Sequence, residues 1–266
     1  MTPVLSVSGL CKTFGRFTAV DDVTFAVAPG SSLGIVGESG SGKTTTARIL
    51  VGLEQATSGE VLLDGEVLGE RSGRRRRRAL ARKIQMIFQD PYLSFDPRQT
   101  IEQSIAEPLR LHFGLDSARR ERRVAELLDQ VGLSARNARS LPKELSGGQR
   151  QRAAIARALG IEPKVLVLDE AVAALDVSIQ AQVLALLDEV RRETGISYVF
   201  VSHDLAVIRH ITESAIVMRS GRVVESGGTE DVLRSPQHPY TRLLLDSVPA
   251  PGWDPARVAR AKRELA

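Results

Sequence analysis

Residues 37–44 combine residue types and a spacing that suit them to holding phosphate. Gly37 is followed after four residues by Gly42, Lys43 and Thr44, which is the P-loop spacing. Glycines let successive backbone N–H groups turn toward one anion, the lysine ammonium reaches the β- and γ-phosphates, and the threonine hydroxyl ligates Mg²⁺. A Gly- and Ser-rich surface loop is the alternative, but the apolar run before the loop and the helix-forming run after it favour phosphate binding. We therefore predict a nucleoside triphosphate site made by consecutive residues: Gly37, Glu38, Ser39, Gly40, Ser41, Gly42, Lys43, Thr44 and Thr45.

An acidic pair supplies what the P-loop lacks. Residues 165–168 form a continuous apolar run, which is typical of a central parallel strand covered on both faces. Asp169, at the carboxyl end of that strand, is predicted to hold Mg²⁺ directly or through water. Glu170 is the candidate general base that polarises the attacking water. An exposed strand end is the alternative for such a pair, and the phosphate site argues against it.

A second glycine motif lies at residues 145–149 and precedes a helix that is predicted to begin near Arg150. It predicts a second phosphate-facing helix N-terminus. A chain with both features resembles the ATP-binding cassette (ABC) ATPases, and the resemblance covers nearly the whole chain. In that family the second motif of one subunit closes over ATP held on the P-loop of its partner. The resemblance implies a head-to-tail pair with two ATP molecules at the interface, contacted by Ser146, Gly147, Gly148 and Gln149.

Four further residues match functional positions of the family. Gln89 resembles the Q-loop glutamine that joins the metal-site geometry to the helical subdomain, so it is both a catalytic and a metal-site candidate. His203 resembles the switch histidine that contacts the γ-phosphate and helps to orient the water. Phe14 matches the aromatic position that stacks on adenine, and nearby Phe17 competes for that role. Asp176 resembles the D-loop aspartate that crosses to the opposite site.

The chain departs from the family pattern at two positions. Relatives commonly have proline after the catalytic glutamate and serine before the Ala-Leu-Asp of the D-loop, and here these residues are Ala171 and Ala173. The first change removes a fixed φ, which loosens the turn that carries the glutamate. The second removes a hydroxyl that could bond across the dimer. Neither change removes a catalytic group, so we expect activity, with the turnover rate in question.

Two segments indicate a subfamily. Residues 89–98 are similar to the Q-loop stretch of oligopeptide and dipeptide importer cassettes, and residues 235–242, followed by 243–249, resemble their C-terminal His-Pro-Tyr element. A proline-punctuated tail that packs on the core is the simpler interpretation of the second segment. Together the two segments favour peptide importers over the sugar, phosphate or amino-acid branches. Nickel importers share both segments, so the substrate stays open.

The elements that must position these residues follow from hydrophobic periodicity. We predict strands at 4–7, 20–27, 33–36, 60–63, 165–168 and 197–202, helices at 43–53, 118–131 and 179–191, helical structure over about 90–141, and a hairpin that joins 217–218 to 222–225. This pattern predicts the α/β class: a P-loop NTPase core with an N-terminal antiparallel β region and an inserted α-helical subdomain. We assign residues 1–89 and 150–232 to the ATP-binding core, 90–149 to the helical subdomain and 233–266 to a C-terminal extension.

The composition is that of an ordinary globular protein, with 42% hydrophobic and 26% charged residues among 266. The single cysteine, Cys11, excludes an intrachain disulfide and a multi-cysteine metal site. The sequence has no secretory signal and no window of about 20 apolar residues, so we expect that the chain does not span a membrane by itself. Much of the net charge of +4 lies in arginine runs at 74–78 and 119–123. Because no aromatic residues interleave with them, these runs favour a solvated helix face over a nucleic-acid or anionic-lipid surface.

The function predicted is that of an ATP-hydrolysing subunit of an ABC importer for oligopeptides or dipeptides, with ATP and Mg²⁺ as cofactors. The resemblance implies several partners: a second ATPase subunit, identical or related, two transmembrane permeases and, indirectly, a substrate-binding protein, but no nucleic acid. It also implies a peripheral position on the cytoplasmic side of the inner membrane. A nickel or other small-solute importer ATPase is the alternative within this class. A soluble ABC ATPase of DNA repair or translation is disfavoured by the single cassette without a heptad run, and a catalytically dead module is disfavoured by Glu170, His203 and Ser146.

Overall fold

The computed structural model describes residues 2–68, 73–90 and 94–247, without the side chains of 74–77. Its strands are β1 (Leu5–Phe14), β2 (Phe17–Val27), β3 (Ser32–Val36), β4 (Ser58–Leu63), β5 (Glu66–Val67), β6 (Ile84–Ile87), β7 (Val165–Asp169), β8 (Ser197–Ser202), β9 (Ser214–Arg219) and β10 (Arg222–Gly228). Its helices are α1 (Lys43–Leu50), α2 (Arg74–Lys83), α3 (Ile101–Phe113), α4 (Ser117–Gln130), α5 (Ala135–Arg139), α6 (Gly147–Leu159), α7 (Val177–Thr194), α8 (Leu205–Ile211), α9 (Thr229–Arg234) and α10 (Pro239–Asp246). Within these described ranges no helix is long and apolar enough to cross a membrane.

The internal contacts divide the chain into two compact units. The first unit comprises residues 1–69 and 199–266, and the second comprises 70–198, so the chain passes from the second to the first within β8. The sequence-based division at residues 89, 149 and 232 stays a prediction.

The first unit contains a four-stranded antiparallel sheet in the order β2-β1-β4-β5. Strands β1 and β2 pair from Leu5 opposite Val27 to Phe14 opposite Phe17, so both run beyond the predicted 4–7 and 20–27. Their pairing shifts register between Val7 and Thr13, and Gly9 adopts a left-handed φ of 58°. Such bulges interrupt the alternation of apolar and polar residues, which is why the pattern alone underestimates the strands.

The same unit holds the strand that leads into the predicted phosphate loop. Strand β3 is buried along its whole length and pairs in parallel with β9, from Leu33 opposite Ser214 to Val36 opposite Val217. Strand β9 continues through a tight turn into antiparallel β10, which confirms the predicted hairpin. Helix α1 begins at Lys43 as predicted, but it ends at Leu50 because Gly52 turns the chain with a φ of 73°.

The second unit combines a parallel strand pair with packed helices. Strands β6 and β7 pair from Ile84 opposite Val165 to Ile87 opposite Leu168. Helices α3, α4 and α6 share an apolar core whose buried members include Ile105, Leu109 and Leu127. Helices α3, α4 and α5 confirm the predicted helical segment, and the arginine run at 74–78 lies within α2. The α/β class with an antiparallel β region is confirmed.

Candidate functional site

The phosphate loop is crowded by backbone atoms at both ends. A Cβ atom on Gly37, whose φ is +154°, would lie 2.3 Å from the carbonyl oxygen of Met218, and one on Gly42, whose φ is +102°, would lie 2.4 Å from that of Ala19. Real Cβ atoms essentially never approach within 3.0 Å, and a strand carbonyl cannot rotate away. The loop is also bound to the β9–β10 hairpin, because Ser41 O accepts a hydrogen bond of 3.0 Å from the N–H of Gly221. Glycine is therefore required at both positions.

Lys43 points back into the loop that precedes it. Its Nζ donates to Gly37 O at 2.8 Å and to Glu38 O at 2.9 Å, and the residue is buried. Ser41 belongs to the same loop. Its hydroxyl is buried and has no hydrogen-bond partner among the described residues. The exposed crest of the loop consists of Glu38, Ser39 and Gly40. A cradle that only glycine fits, an ammonium group inside it and an unsatisfied hydroxyl together fit the phosphates of a nucleotide.

Helix α1 begins directly after this loop and has no side-chain cap. Its N-cap residue, Gly42, adopts a left-handed conformation, and its first turn contains no acidic residue. Thr44 and Thr45, the remaining predicted contacts, are partly exposed on that turn. The first N–H groups of a helix have no acceptor within the helix, and the positive end of the helix dipole lies there. This helix end is therefore suited to an anion.

The two aromatic candidates for base stacking face each other across the β1–β2 turn. Phe14 is 47% exposed and Phe17 is 62% exposed. The Nζ atom of Lys12 lies 4.6 Å from the centroid of the Phe14 ring, and the same ammonium pairs with Glu54 at 2.7 Å. Phe14 is thus held in place by a cation, which suits a stacking platform, and its role in binding adenine stays a prediction.

His203 lies between a buried strand end and a capped helix. Ser202 ends β8, and its hydroxyl accepts a hydrogen bond of 2.9 Å from the N–H of Asp204. Asp204 caps α8 by accepting from the N–H of Ala206 at 2.8 Å. The backbone on both sides of the exposed His203 is therefore held by hydrogen bonds, and the role of this residue in orienting water stays a prediction.

The second unit brings three predicted residues to one sheet edge. Because β6 and β7 run in parallel and in register, their carboxyl ends lie side by side. Gln89 follows β6, Asp169 is the last residue of β7, and Glu170 comes directly after it. Asp169 is 5% exposed, whereas Gln89 is exposed. Glu170 has a left-handed φ of 52°. A non-glycine residue in that conformation costs about 1–3 kcal/mol, and such strain is concentrated at functional sites.

The second glycine motif forms the capped start of α6. The hydroxyl of Ser146 accepts from the N–H of Gln149 at 3.2 Å, and Oε1 of Gln149 accepts from the N–H of Ser146 at 2.9 Å. A Cβ atom on Gly148 would lie 2.4 Å from Cγ2 of Ile179 on α7, whereas one on Gly147 would lie 3.5 Å from Leu175. The helix begins at Gly147, three residues before the predicted start at Arg150, because the glycines are part of its first turn.

Asp176 caps helix α7 next to this motif in the second unit. Its Oδ1 accepts from the N–H of Ile179 at 2.9 Å. Val177, the first residue of the helix, is 84% exposed. The predicted D-loop aspartate thus has a local structural role, and its exposed neighbour leaves an apolar side chain at the surface. A role across a dimer stays a prediction.

The described residues contain no group of three or more His, Cys, Asp or Glu side chains arranged to hold a metal ion. Mg²⁺ typically takes only one or two carboxylates from a protein and completes its shell with substrate phosphates and water. The carboxylate of Asp169, buried at the end of β7, and, in the first unit, the hydroxyl of Thr44 are each a kind of oxygen ligand that Mg²⁺ accepts, and their binding of the ion stays a prediction.

The C-terminal element makes a contact that the sequence analysis did not predict. The hydroxyl of Tyr240 accepts a hydrogen bond of 3.2 Å from the N–H of Glu38, in the phosphate loop. The two residues are 202 positions apart, so no local pattern signals the contact. Of the segments used to identify the subfamily, residues 91–93 and 248–249 lie outside the described residues.

Comparison with known families is consistent with this geometry. Residues 20–173 match the ABC transporter family, and residues 224–265 match the oligopeptide/dipeptide transporter C-terminal region. The glutathione import ATP-binding protein GsiA of Pectobacterium atrosepticum is 48% identical over 97% of this chain and 43% of its own length. The oligopeptide transport ATP-binding protein OppF of Bacillus subtilis is 47% identical over 90% of this chain and 79% of its own length. The chain thus spans less than half the length of the GsiA proteins.

Solved structures are similar over most of the chain. CbiO1 of Clostridium perfringens, part of the ABC transporter complex cbiONQ, superposes with a TM-score of 0.80 at 27% identity and covers 88% of this chain and 92% of its own. The ATP-binding cassette MJ0796, solved as a dimer bound to ADP and Pi, gives a TM-score of 0.77 at 29% identity and covers 85% of this chain and 98% of its own. With more than half of its sequence matched by the family and its fold shared with solved cassettes, the chain belongs to the ABC transporter family.

Proposed function

We propose that the chain is the ATP-hydrolysing subunit of an ABC importer for oligopeptides, dipeptides or similarly short peptides. The observation that carries this proposal is the phosphate loop with Lys43 inside it, to which the C-terminal element of peptide transporters is bound through Tyr240. The names of GsiA and OppF, which refer to glutathione import and oligopeptide transport, support the substrate class.

In this proposal the loop and the uncapped start of α1 bind the phosphates of ATP, and Phe14 stacks on the adenine. Thr44, Asp169 and Gln89 supply oxygen ligands for Mg²⁺, which neutralises charge on the phosphates when it is bound. Glu170 accepts a proton from the attacking water, and His203 orients that water. Ser146 donates a hydrogen bond from its hydroxyl to a phosphate of the ATP that the partner subunit binds. In its own helix the hydroxyl oxygen accepts from the N–H of Gln149, which leaves the O–H group able to donate.

The proposed partners are a second ATPase subunit and two transmembrane permeases, with this chain bound peripherally on the cytoplasmic side of the inner membrane. A cavity of about 480 Å³ among α3, α4 and α5 supports docking of a permease segment. Its lining is mixed, with apolar Val124, Leu128 and Leu133 beside Arg120, Glu121 and Arg139. We propose that the segment around Gln89 transmits the state of the nucleotide to this helical region.

The test is ATP hydrolysis by the Lys43→Ala variant of the purified chain. Removal of charge-assisted hydrogen bonds worth about 1.5–3 kcal/mol each should lower the rate of phosphate release by about 10²-fold or more. Lys143→Ala, which removes an exposed lysine from the second unit, is the matched control and should keep the parent rate. A Lys43→Ala variant that hydrolyses ATP normally would end the assignment of the loop.

A further inference from the structure

We propose that Tyr240 is a positioning residue for the phosphate loop, through which the C-terminal element determines where Lys43 is held. The inference rests on the proposed function of the loop and adds a residue to it. The match to the peptide-transporter C-terminal region assigns the segment to a family, whereas the contact assigns one of its side chains a task.

One peptide group connects Tyr240 to Lys43. The peptide that joins Gly37 to Glu38 presents a carbonyl oxygen on one side and an N–H on the other. The carbonyl of Gly37 accepts from Nζ of Lys43 at 2.8 Å, and the N–H of Glu38 donates to the hydroxyl of Tyr240 at 3.2 Å. Because a peptide group is planar and rigid, each hydrogen bond also orients the other. Hydrogen bonds in such a chain polarise one another, so the tyrosine strengthens the acceptor that holds the lysine.

Tyr240 is itself firmly held. It is 2% exposed, and the guanidinium of Arg219 lies 5.0 Å from the centroid of its ring. Its N–H donates to Nδ1 of His238 at 3.1 Å, which caps the first turn of α10. A buried ring under a cation, at the start of a capped helix, cannot follow a loop that moves. The hydroxyl therefore acts as a fixed point for the peptide group.

The helix that carries Tyr240 is anchored to the hairpin beside the loop. Glu225 on β10 accepts from the N–H of Gln237 at 2.7 Å and from that of His238 at 3.1 Å. Burial alone would raise the pKa of Glu225, but its polar neighbours, among them the N–H groups of Gln237 and His238 that donate to it, hold the pKa below its usual value, so the carboxylate form is the one bound. The same hairpin contacts the loop directly through Gly221. The loop is thus held twice by one assembly of β9, β10 and α10.

The need for a fixed point follows from the glycine at position 37. Glycine has no Cβ and turns its peptide more freely than other residues. Without the tyrosine hydroxyl, the N–H of Glu38 loses its acceptor, and rotation of this peptide group carries the Gly37 carbonyl away from Lys43. The ammonium would then spread over several positions, and the affinity for a triphosphate would fall.

The experiment compares Tyr240→Phe with Tyr198→Phe in the full chain. Both substitutions remove one hydroxyl from a buried ring. Tyr198 donates to the carbonyl of Leu187 at 2.8 Å in the second unit, so it controls for the loss of any buried tyrosine hydrogen bond. Two readouts are measured: the dissociation constant of a non-hydrolysable ATP analogue with Mg²⁺, and the exchange rate of the Glu38 amide in nucleotide-free protein.

For Tyr240→Phe we expect the dissociation constant to rise about 5-fold, the ratio that corresponds to one hydrogen bond of about 1 kcal/mol, and amide exchange at Glu38 to accelerate by a similar factor. Tyr198→Phe should leave both values within about 2-fold of the parent, although it lowers the unfolding temperature. Parent-like affinity or parent-like exchange in Tyr240→Phe overturns the inference, as do equal changes in both variants. If the parent chain binds no nucleotide, the proposed function fails instead, and this outcome is seen before any variant is compared.

Discussion

Replacement of Gly42 by alanine tests the geometry of the phosphate loop most directly. The φ of +102° at this residue places it in the left-handed region, where a side chain costs about 1–2 kcal/mol. The new Cβ atom would also lie 2.4 Å from the carbonyl oxygen of Ala19, against the 3.0 Å that real contacts respect. Relief of that overlap requires a shift of strand β2 or of the loop. Such overpacking typically lowers the free energy of unfolding by about 1–3 kcal/mol.

The two effects together predict that Gly42→Ala loses about 3 kcal/mol of unfolding free energy. Gly65→Ala is the matched control in the same unit, because its φ is +75° and its Cβ atom would meet nothing within 4 Å. This control carries only the conformational cost. Equilibrium denaturation should therefore separate the two variants by about 2 kcal/mol, or about 4–8 °C in unfolding temperature.

Nucleotide binding provides the second readout of the same pair. Because the overlap displaces the loop, the affinity of Gly42→Ala for MgATP should fall by a measurable amount. Gly65→Ala should bind MgATP as tightly as the parent does. Equal losses of stability in the two variants would show that the Ala19 carbonyl does not confine the loop. Retained nucleotide affinity in Gly42→Ala would refute the view that this glycine shapes the phosphate site.

Two further predictions concern turnover and coupling. Glu170→Gln keeps the shape of the side chain and removes the base, so hydrolysis should fall about 10²-fold or more while ATP stabilises a dimer seen by size-exclusion chromatography; normal turnover would place the base elsewhere. In a reconstituted transporter, Gln89→Ala should lower peptide uptake more than ATP binding, and uptake that survives intact would contradict the coupling role of this residue.

The sequence predicts the elements whose periodicity is regular and misses what depends on distant partners. The buried strand before Asp169 and the helix after the phosphate loop follow from apolar runs and glycine spacing. The long β1–β2 pair is underestimated because its register shifts near Gly9 break the alternation on which strand prediction depends. The hydrogen bond between Tyr240 and Glu38 joins residues that come together only in the folded protein. Neither residue type nor its local spacing therefore predicts this contact.

The left-handed conformation of Glu170 is another feature that spacing cannot reveal. Its residue type suggests catalysis, but only the structure shows that its backbone adopts an unfavourable φ directly after the end of the strand. The alanine at position 171 does not impose the extended backbone that a proline would impose on the preceding residue. The departure from the family pattern at Ala171 is therefore compatible with the observed φ, and its effect on turnover stays a prediction.

The two helix starts that are proposed to contact nucleotide differ in how their first turns are capped. At the start of helix α6 the side chains of Ser146 and Gln149 accept from two N–H groups of the turn, so the turn is ordered before a ligand arrives and binding loses less entropy there. The N-cap residue of helix α1 is Gly42, which has no side chain to cap the first turn, so a bound phosphate adds to its stability by mass action. Under the proposed function, bound nucleotide should therefore order the first turn of α1. The surface that the partner subunit presents to it, the start of α6, is already ordered. Closure of the dimer then becomes the docking of two ordered surfaces, with the ordering confined to the step in which ATP first binds.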